Sequence, residues 1–317
     1  MSEKKFFDYI TLLKFVAILM ITNSHSKWMY PDSLQSLACG GAWGCAIFFF
    51  CSGFTMANIR TDCFWKYLLK RVVRIYPVIW IWYLLTFSIQ EDFTWKYMLW
   101  PKYWFIQAIL TFYVFFYFCM KWLKPFISLV ILGCLIAAAT IYYYADHSAW
   151  MIDLTYQKDK ITWYYYFGLM LFGAFLRLRM SREKKEGCST FRIFIIPLSF
   201  VTCYGVKLVC LKEIAPSNLQ LLFPIMLYLS CFLFYQLLES LSLNKKTKLF
   251  GGISFISERT LEIYITQGLI LYICQTMDRP FGAIVAVIAI LALSTLFHWL
   301  VAKGIEKTGI ARLYSYK

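Results

Sequence analysis

Charge is scarce in this chain of 317 residues: only 15% are Asp, Glu, Lys or Arg. A soluble domain carries roughly 25%, so the sequence lacks the polar surface that coats a water-soluble globule. Acidic residues are the scarcer kind, 17 against 32 basic ones, for a net charge of +15. That surplus would suit nucleic acid, but the cations fall in short gaps between apolar runs, where they act as topology signals. Eleven cysteines are present, yet none form a C-x-x-C pair. Cys45, Cys51, Cys119, Cys134, Cys203, Cys231 and Cys274 lie inside apolar runs and read as small packing residues, which excludes a disulfide framework or zinc site. No G-x-S-x-G, H-E-x-x-H or P-loop pattern occurs, so a nucleophile elbow, a zincin helix and a phosphate-cradling loop are excluded. Internal repeats and low-complexity stretches are absent as well.

What the chain does have is apolar bulk, 61% hydrophobic and 20% aromatic. Gly282–Trp299 runs without a single Lys, Arg, Asp or Glu, and about 20 such residues span ~30 Å of hydrocarbon as one helix. Ten spans are expected: Phe6–Ser24, Gly41–Ala57, Arg74–Ile89, Tyr103–Met120, Phe126–Tyr144, Ile161–Leu176, Phe191–Leu211, Asn218–Leu238, Thr260–Met277 and Phe281–Val301. Lys4 and Lys5 before an apolar stretch resemble a signal peptide. However, Asp8 and Lys14 interrupt that stretch and no small-residue cleavage site follows, so it reads as a retained first helix. Alternating the gaps places 23 Lys and Arg on one side and 8 on the other, which predicts both termini in the cytoplasm. Trp80, Trp82, Trp95, Trp100, Trp104 and Trp163 gather near span ends, as an interfacial belt does. The expected fold is an all-α, polytopic transmembrane helix bundle over residues 1–317, a single membrane domain with no appended soluble domain.

Three features stand out against this background. His25 ends the first span in ITNSHSKW. Imidazole titrates near neutrality and can take a proton from a hydroxyl, although a lone His there also serves as an interfacial residue. Arg71 and Arg74 share a helical face at i, i+3. At the inner mouth of a bundle such a pair makes a bidentate phosphate site, and it equally suits a simple topology signal. The second span, GGAWGCAIFFFCSGFT, carries Gly40, Gly41, Gly44, Ser52 and Gly53, small residues that allow close helix approach or leave room for a thin ligand tail. Among lesser candidates, Gln107 lies in YWFIQAIL, and Glu262, Tyr264 and Gln267 in TLEIYITQG. A carboxylate inside a span needs a partner, and Arg259 at i, i+3 is the expected one for Glu262. His298 is expected at the interface and His147 in an outer loop.

Taken in order, YITLLKFVAILMITNSHS, GGAWGCAIFFFCSGFT, YLLKRVVRIYPVIW, KYWFIQAIL, YYYFGLMLFGAFL and RTLEIYITQ resemble the acyltransferase-3 family of bacterial integral membrane acyltransferases, especially those modifying capsule, lipopolysaccharide or exopolysaccharide. The resemblance covers nearly the whole chain. It implies that His25 is the family's essential histidine and that Arg71 and Arg74 are its R-x-x-R pair. Lys14 and Ser52 join them as implied donor-binding residues. Where the family often reads D-x-x-R before the histidine, Thr11 and Lys14 stand here. Gln267 occupies a place where a histidine is common.

The resemblance implies an enzyme in the bacterial cytoplasmic (inner) membrane. It would move an acyl group, acetyl by expectation, from cytoplasmic acyl-CoA to a hydroxyl of an envelope glycan or lipid-linked glycan. No metal or nucleic acid is expected to take part, and His25 would act as base or acyl carrier. A transporter or flippase of lipid-linked glycan is the rival, but it would line its cavity with several cations, and Lys14 and Lys207 are nearly the only ones inside the spans. An inactive sensor is the third reading. His25 with Arg71 and Arg74 argues against it, and Thr11 and Gln267 argue for it.

Overall fold

A computed structural model describes residues 3–59, 63–87, 94–144, 161–180, 225–233 and 247–307. Among the described residues every element is helical and there is no strand. In chain order the helices are α1 (Glu3–Ser24), α2 (Gly41–Met56), α3 (Phe64–Thr86), the short α4 (Lys96–Leu99), α5 (Trp104–Trp122), α6 (Ile127–Tyr144), α7 (Ile161–Met180), a helical stretch over 225–233, α8 (Lys248–Glu258), α9 (Thr260–Cys274) and α10 (Arg279–Lys307). Short 3-10 turns occupy Lys27–Met29, Asp32–Leu37 and Lys124–Phe126.

Seven expected spans coincide with α1, α2, α5, α6, α7, α9 and α10 to within a few residues. The expected eighth span is described only over 225–233, where it is helical. The expected span Phe191–Leu211, together with Lys207 and His147, lies outside the described residues.

Two elements differ from expectation. Helix α3 begins at Phe64, ten residues before the expected start at Arg74. Lys66, Lys70 and Arg74 follow one another at i, i+4 spacing on the more exposed side, while Tyr67, Ile75, Val78, Ile79 and Trp82 are buried. A helix with one basic and one apolar stripe needs no break at the cations. Helix α8 was not anticipated, because its sequence KLFGGISFISE is too short to span and its paired glycines read as a loop.

Among the described residues, three helical stretches are long and apolar enough to cross a membrane: Asp32–Met56, Trp104–Trp122 and Arg279–Gly304. Tyr9–Ser24, Lys124–Thr140 and Thr260–Cys274 are shorter apolar helices. Large apolar side chains face outward along whole helices, as at Ile284, Val287, Ile288 and Leu296 on α10 and Leu129, Leu132 and Ile136 on α6. Such continuous apolar faces are stable against lipid and not against water. The chain is a membrane protein.

Its described residues fall into two compact units. The first comprises the chain up to Ala17, Ala42–Ile59 and Phe118–Ser254. Here α2 lies backbone to backbone against α7. A Cβ on Gly53 would overlap the Met170 carbonyl, and one on Gly173 would overlap the Phe50 carbonyl. Glycine at both positions lets the helices approach to this distance. Phe49, Phe50, Leu169, Met170, Leu171 and Ala174 are fully buried around the crossing. Gly168 similarly makes room for the hydroxyl of Tyr228, which donates to the Tyr165 carbonyl at 3.1 Å.

The second unit comprises Ile18–Gly41, Arg60–Tyr117 and Phe255–Lys317. Helices α9 and α10 form an antiparallel pair, and α3 packs on both. Antiparallel α3 and α5 meet at two levels, Trp82 with Tyr103 and Tyr67 with Tyr117. This unit contains His25, Arg71, Arg74, Glu262 and Gln267.

Candidate active site

His25 is the first residue beyond α1. A helix leaves its last carbonyls without intrahelical donors, and here the main chain turns back to satisfy one of them. The Thr22 carbonyl accepts the His25 N–H at 3.1 Å and the Ser26 hydroxyl at 2.7 Å. Asn23 extends across to the returning chain, donating from Nδ2 to the carbonyls of Leu37 at 2.8 Å and Cys39 at 3.0 Å, while its Oδ1 accepts the Tyr30 hydroxyl. The Ser24 hydroxyl donates back to Ile21. Gly41 opens α2 against Ser24, where a Cβ would meet the Ser24 hydroxyl, and Gly40 sits at φ +102°, a conformation glycine adopts without strain.

Asn23, Ser24 and Ser26 flank His25 in the sequence. All three are engaged by main-chain carbonyls or by Tyr30, so they hold the turn and not the imidazole. The ring itself is exposed. Even so, the protein crowded along its inner side removes enough water to push the imidazole below its ordinary 6.5. Since part of the ring still meets solvent, the direction matters more than its size. The consequence is a neutral imidazole near pH 7, the form that accepts a proton.

Beneath this turn α9 presents Gln267, buried at 2% exposure, whose Oε1 accepts the Thr22 hydroxyl at 2.6 Å. Near this level the Tyr103 hydroxyl accepts the Trp82 indole N–H at 2.7 Å and lies 3.4 Å from the Ile265 carbonyl, and its ring meets Tyr264 edge to face. Trp82 in turn meets Phe297 of α10. Gln107 is turned away from this cluster, with Nε2 donating to the Pro101 carbonyl at 2.7 Å. Sequence reasoning missed the role of Tyr103, because a tyrosine at the start of a span reads as part of the interfacial belt.

About one turn further along α9, Glu262 is 5% exposed and its Oε1 lies 3.0 Å from Nδ1 of His298. The expected pairing with Arg259 is not formed. Arg259 instead stacks over Phe255 at 3.7 Å, donates to its carbonyl and approaches Glu258. Arg259 is the residue just before α9, in the short break between α8 and α9, so its side chain follows the preceding helix and not the face of α9 that carries Glu262.

Arg71 and Arg74 lie further down α3. Because α3 starts at Phe64, they sit two to three turns inside a helix and not at its mouth. Arg74 is exposed and Arg71 half-buried. The Arg71 guanidinium lies over the rings of Tyr67 and Tyr113, at 5.2 and 5.8 Å to their centroids. Its Nε is buried and finds no hydrogen-bond partner among the described residues. The same guanidinium hydrogen-bonds the Tyr67 hydroxyl, so Nε is the donor that packing leaves unmet. Eleven residues of α3 separate Arg71 from Trp82, about 17 Å at 1.5 Å per residue.

The other two residues implied as donor contacts belong to the first unit. Lys14 is half-buried on α1, and Ser52 is half-buried on α2 with its main-chain carbonyl accepting the Thr55 hydroxyl. Next to Ser52, Gly53 is used for packing against α7.

A family model described as an acyltransferase domain matches residues 7–303. The chain belongs to the acyltransferase-3 family. This match runs continuously through both units and makes the protein a membrane acyltransferase. No curated protein and no solved structure matches the chain.

Proposed function

We propose that this acyltransferase-3 protein is a multi-pass enzyme of the bacterial inner membrane that transfers an acyl group, acetyl in the simplest case, from cytoplasmic acyl-CoA to a hydroxyl of an envelope glycan. The observation that carries the reading is the order of polar groups along one unit. The Arg71 guanidinium with its unmet donor lies in the N-terminal half of α3, and His25 lies just beyond the C-terminal end of α1, next to the turn that Thr22 ties to Gln267 midway along α9. Charge asymmetry supports ten spans with both termini cytoplasmic, so that the arginines are on the inner side and His25 is on the outer side. Phosphates of the donor would be held by the forks of Arg71 and Arg74.

In the simplest mechanism His25 takes the proton of the acceptor hydroxyl as its oxygen attacks the thioester carbonyl. The C–S bond breaks, and the thiolate leaves with the proton that the imidazolium returns. If His25 instead carries the acyl group, a ring nitrogen attacks the thioester and the thiolate leaves. The acceptor oxygen then attacks the acyl-imidazole, the N–C bond breaks, and the hydroxyl proton ends on the thiolate.

Mass spectrometry of envelope glycans from cells with and without the protein tests the reading directly. An O-acyl group present only with the protein is expected, and identical glycans overturn it. Reporter fusions after Lys124 and after Lys160 should face opposite sides of the membrane. Two cytoplasmic reports would refute the topology.

A further inference from the structure

Gln267 poses a question that packing does not answer. It is a fully buried amide on α9, next to buried Thr266 and five residues after Glu262, and burying an amide costs about 1–3 kcal/mol unless it is bonded. A leucine or methionine would fill the same space without that cost. Its carbonyl oxygen makes a single contact of consequence, the 2.6 Å hydrogen bond from the Thr22 hydroxyl, which joins residues 245 positions apart. Thr22 is also the residue from which the His25 turn hangs, because its main-chain carbonyl takes both the His25 N–H and the Ser26 hydroxyl.

We propose that Gln267 and Thr22 form a positioning clamp for His25, with α9 fixing the rotation of the last turn of α1 and hence the direction in which the imidazole projects. The assignment rests on the reading of His25 as the reacting base or carrier. Without Gln267, the Thr22 hydroxyl turns back to its own helix, as threonines in helices do, and the end of α1 is free to roll. Asn23 does not replace the clamp, since it ties the turn to Leu37 and Cys39 in the loop that leaves it and not to a neighbouring helix. A displacement of about 1 Å at a reacting group costs up to ~10²-fold in rate.

The test uses full-length protein in membranes, with acetyl-CoA as donor and endogenous envelope glycan as acceptor, at matched expression. The variants are Thr22→Val, Thr22→Ser, Gln267→Leu, the Thr22→Val/Gln267→Leu double and His25→Ala. Thr22→Val and Gln267→Leu should each lower kcat about 10- to 100-fold at unchanged KM for acetyl-CoA. The double should be no worse than either single, and Thr22→Ser, which keeps the hydroxyl, should stay near wild type. Wild-type kcat in either single, multiplied losses in the double, or a Thr22→Ser defect as deep as Thr22→Val would overturn the clamp. His25→Ala separates the two levels. If it still acylates, His25 is not the reacting group, and the clamp falls with that role while the acyl transfer itself stands. If it is inactive while Thr22→Val is normal, only the clamp falls.

Discussion

The crossing of α2 with α7 and the outer turn of α1 are both built from small residues, but they use them in opposite ways. At the crossing, Gly53 and Gly173 remove side chains so that backbones touch, and nearly everything around them is apolar and buried. At the turn, Thr22, Asn23, Ser24 and Ser26 supply short polar side chains, each committed to a specific carbonyl or amide. The first region is held by apolar contact. The second is held by directional bonds around a ring that stays exposed. The proposed chemistry falls in the second, because a reacting imidazole needs an approach from outside and a fixed base beneath it.

Substituting His25 should separate the two regions most sharply. His25→Ala removes the proposed base and should lower acylation about 10²–10⁴-fold, with expression and donor binding unchanged, because an exposed residue past a helix end contributes little packing. Acylation of envelope glycan at matched expression measures it. Near-normal transfer would move the chemistry away from the turn. Gly53→Ala is the counterpart. Its methyl has to displace the Met170 backbone, so loss of stability of about 3 kcal/mol is expected, seen as a lowered melting temperature in detergent. The activity of whatever protein folds should be preserved. Intact stability would mean that the helices are not in backbone contact.

The same contrast explains what was legible in the sequence. Apolar runs announced the helices because lipid demands an uninterrupted apolar face. The small-residue run of α2 announced close packing, and Gly53 fulfils it against Met170. His25 was legible because a titratable ring at a span end is rare. Its supports were not, since Thr22 with Gln267 and Glu262 with His298 are pairs between different helices, 245 and 36 residues apart. One-dimensional periodicity finds a partner only within a turn or two, so it offered Arg259 to Glu262. The start of α3 was missed for a related reason, because cations inside a helix look like the edge of the membrane.

Donor binding should respond next. Arg71→Ala with Arg74→Ala should weaken acyl-CoA affinity at least tenfold, and Arg71→Lys less, because Lys keeps the charge and loses the fork. Titration of purified protein with acetyl-CoA reads this, and unchanged affinity in the double variant removes the arginines from the donor site. A pH profile gives a smaller and complementary signal. Burial lowers the His25 pKa, and a base works when unprotonated. Rate should therefore hold down to pH 6.5 and fall at pH below the lowered pKa. A fall that begins above pH 7 would mean that the ring is not shielded as described.

The smallest effect expected is at Glu262, which tests whether every buried polar group in the second unit serves the reaction. Its carboxylate meets His298, a residue whose own side chain is 37% exposed. That exposure gives His298 water to turn to if its partner changes, so the pair is less costly to break than a wholly buried one. Glu262→Gln keeps the shape and one acceptor oxygen while removing the charge. It should cost about 1 kcal/mol of stability and leave the kcat of the folded protein within a factor of two. Melting in detergent and acylation at matched expression measure the two parts. A large loss of kcat at normal stability would make Glu262 part of the chemistry, and the division between a clamp under His25 and a brace between α9 and α10 would no longer hold.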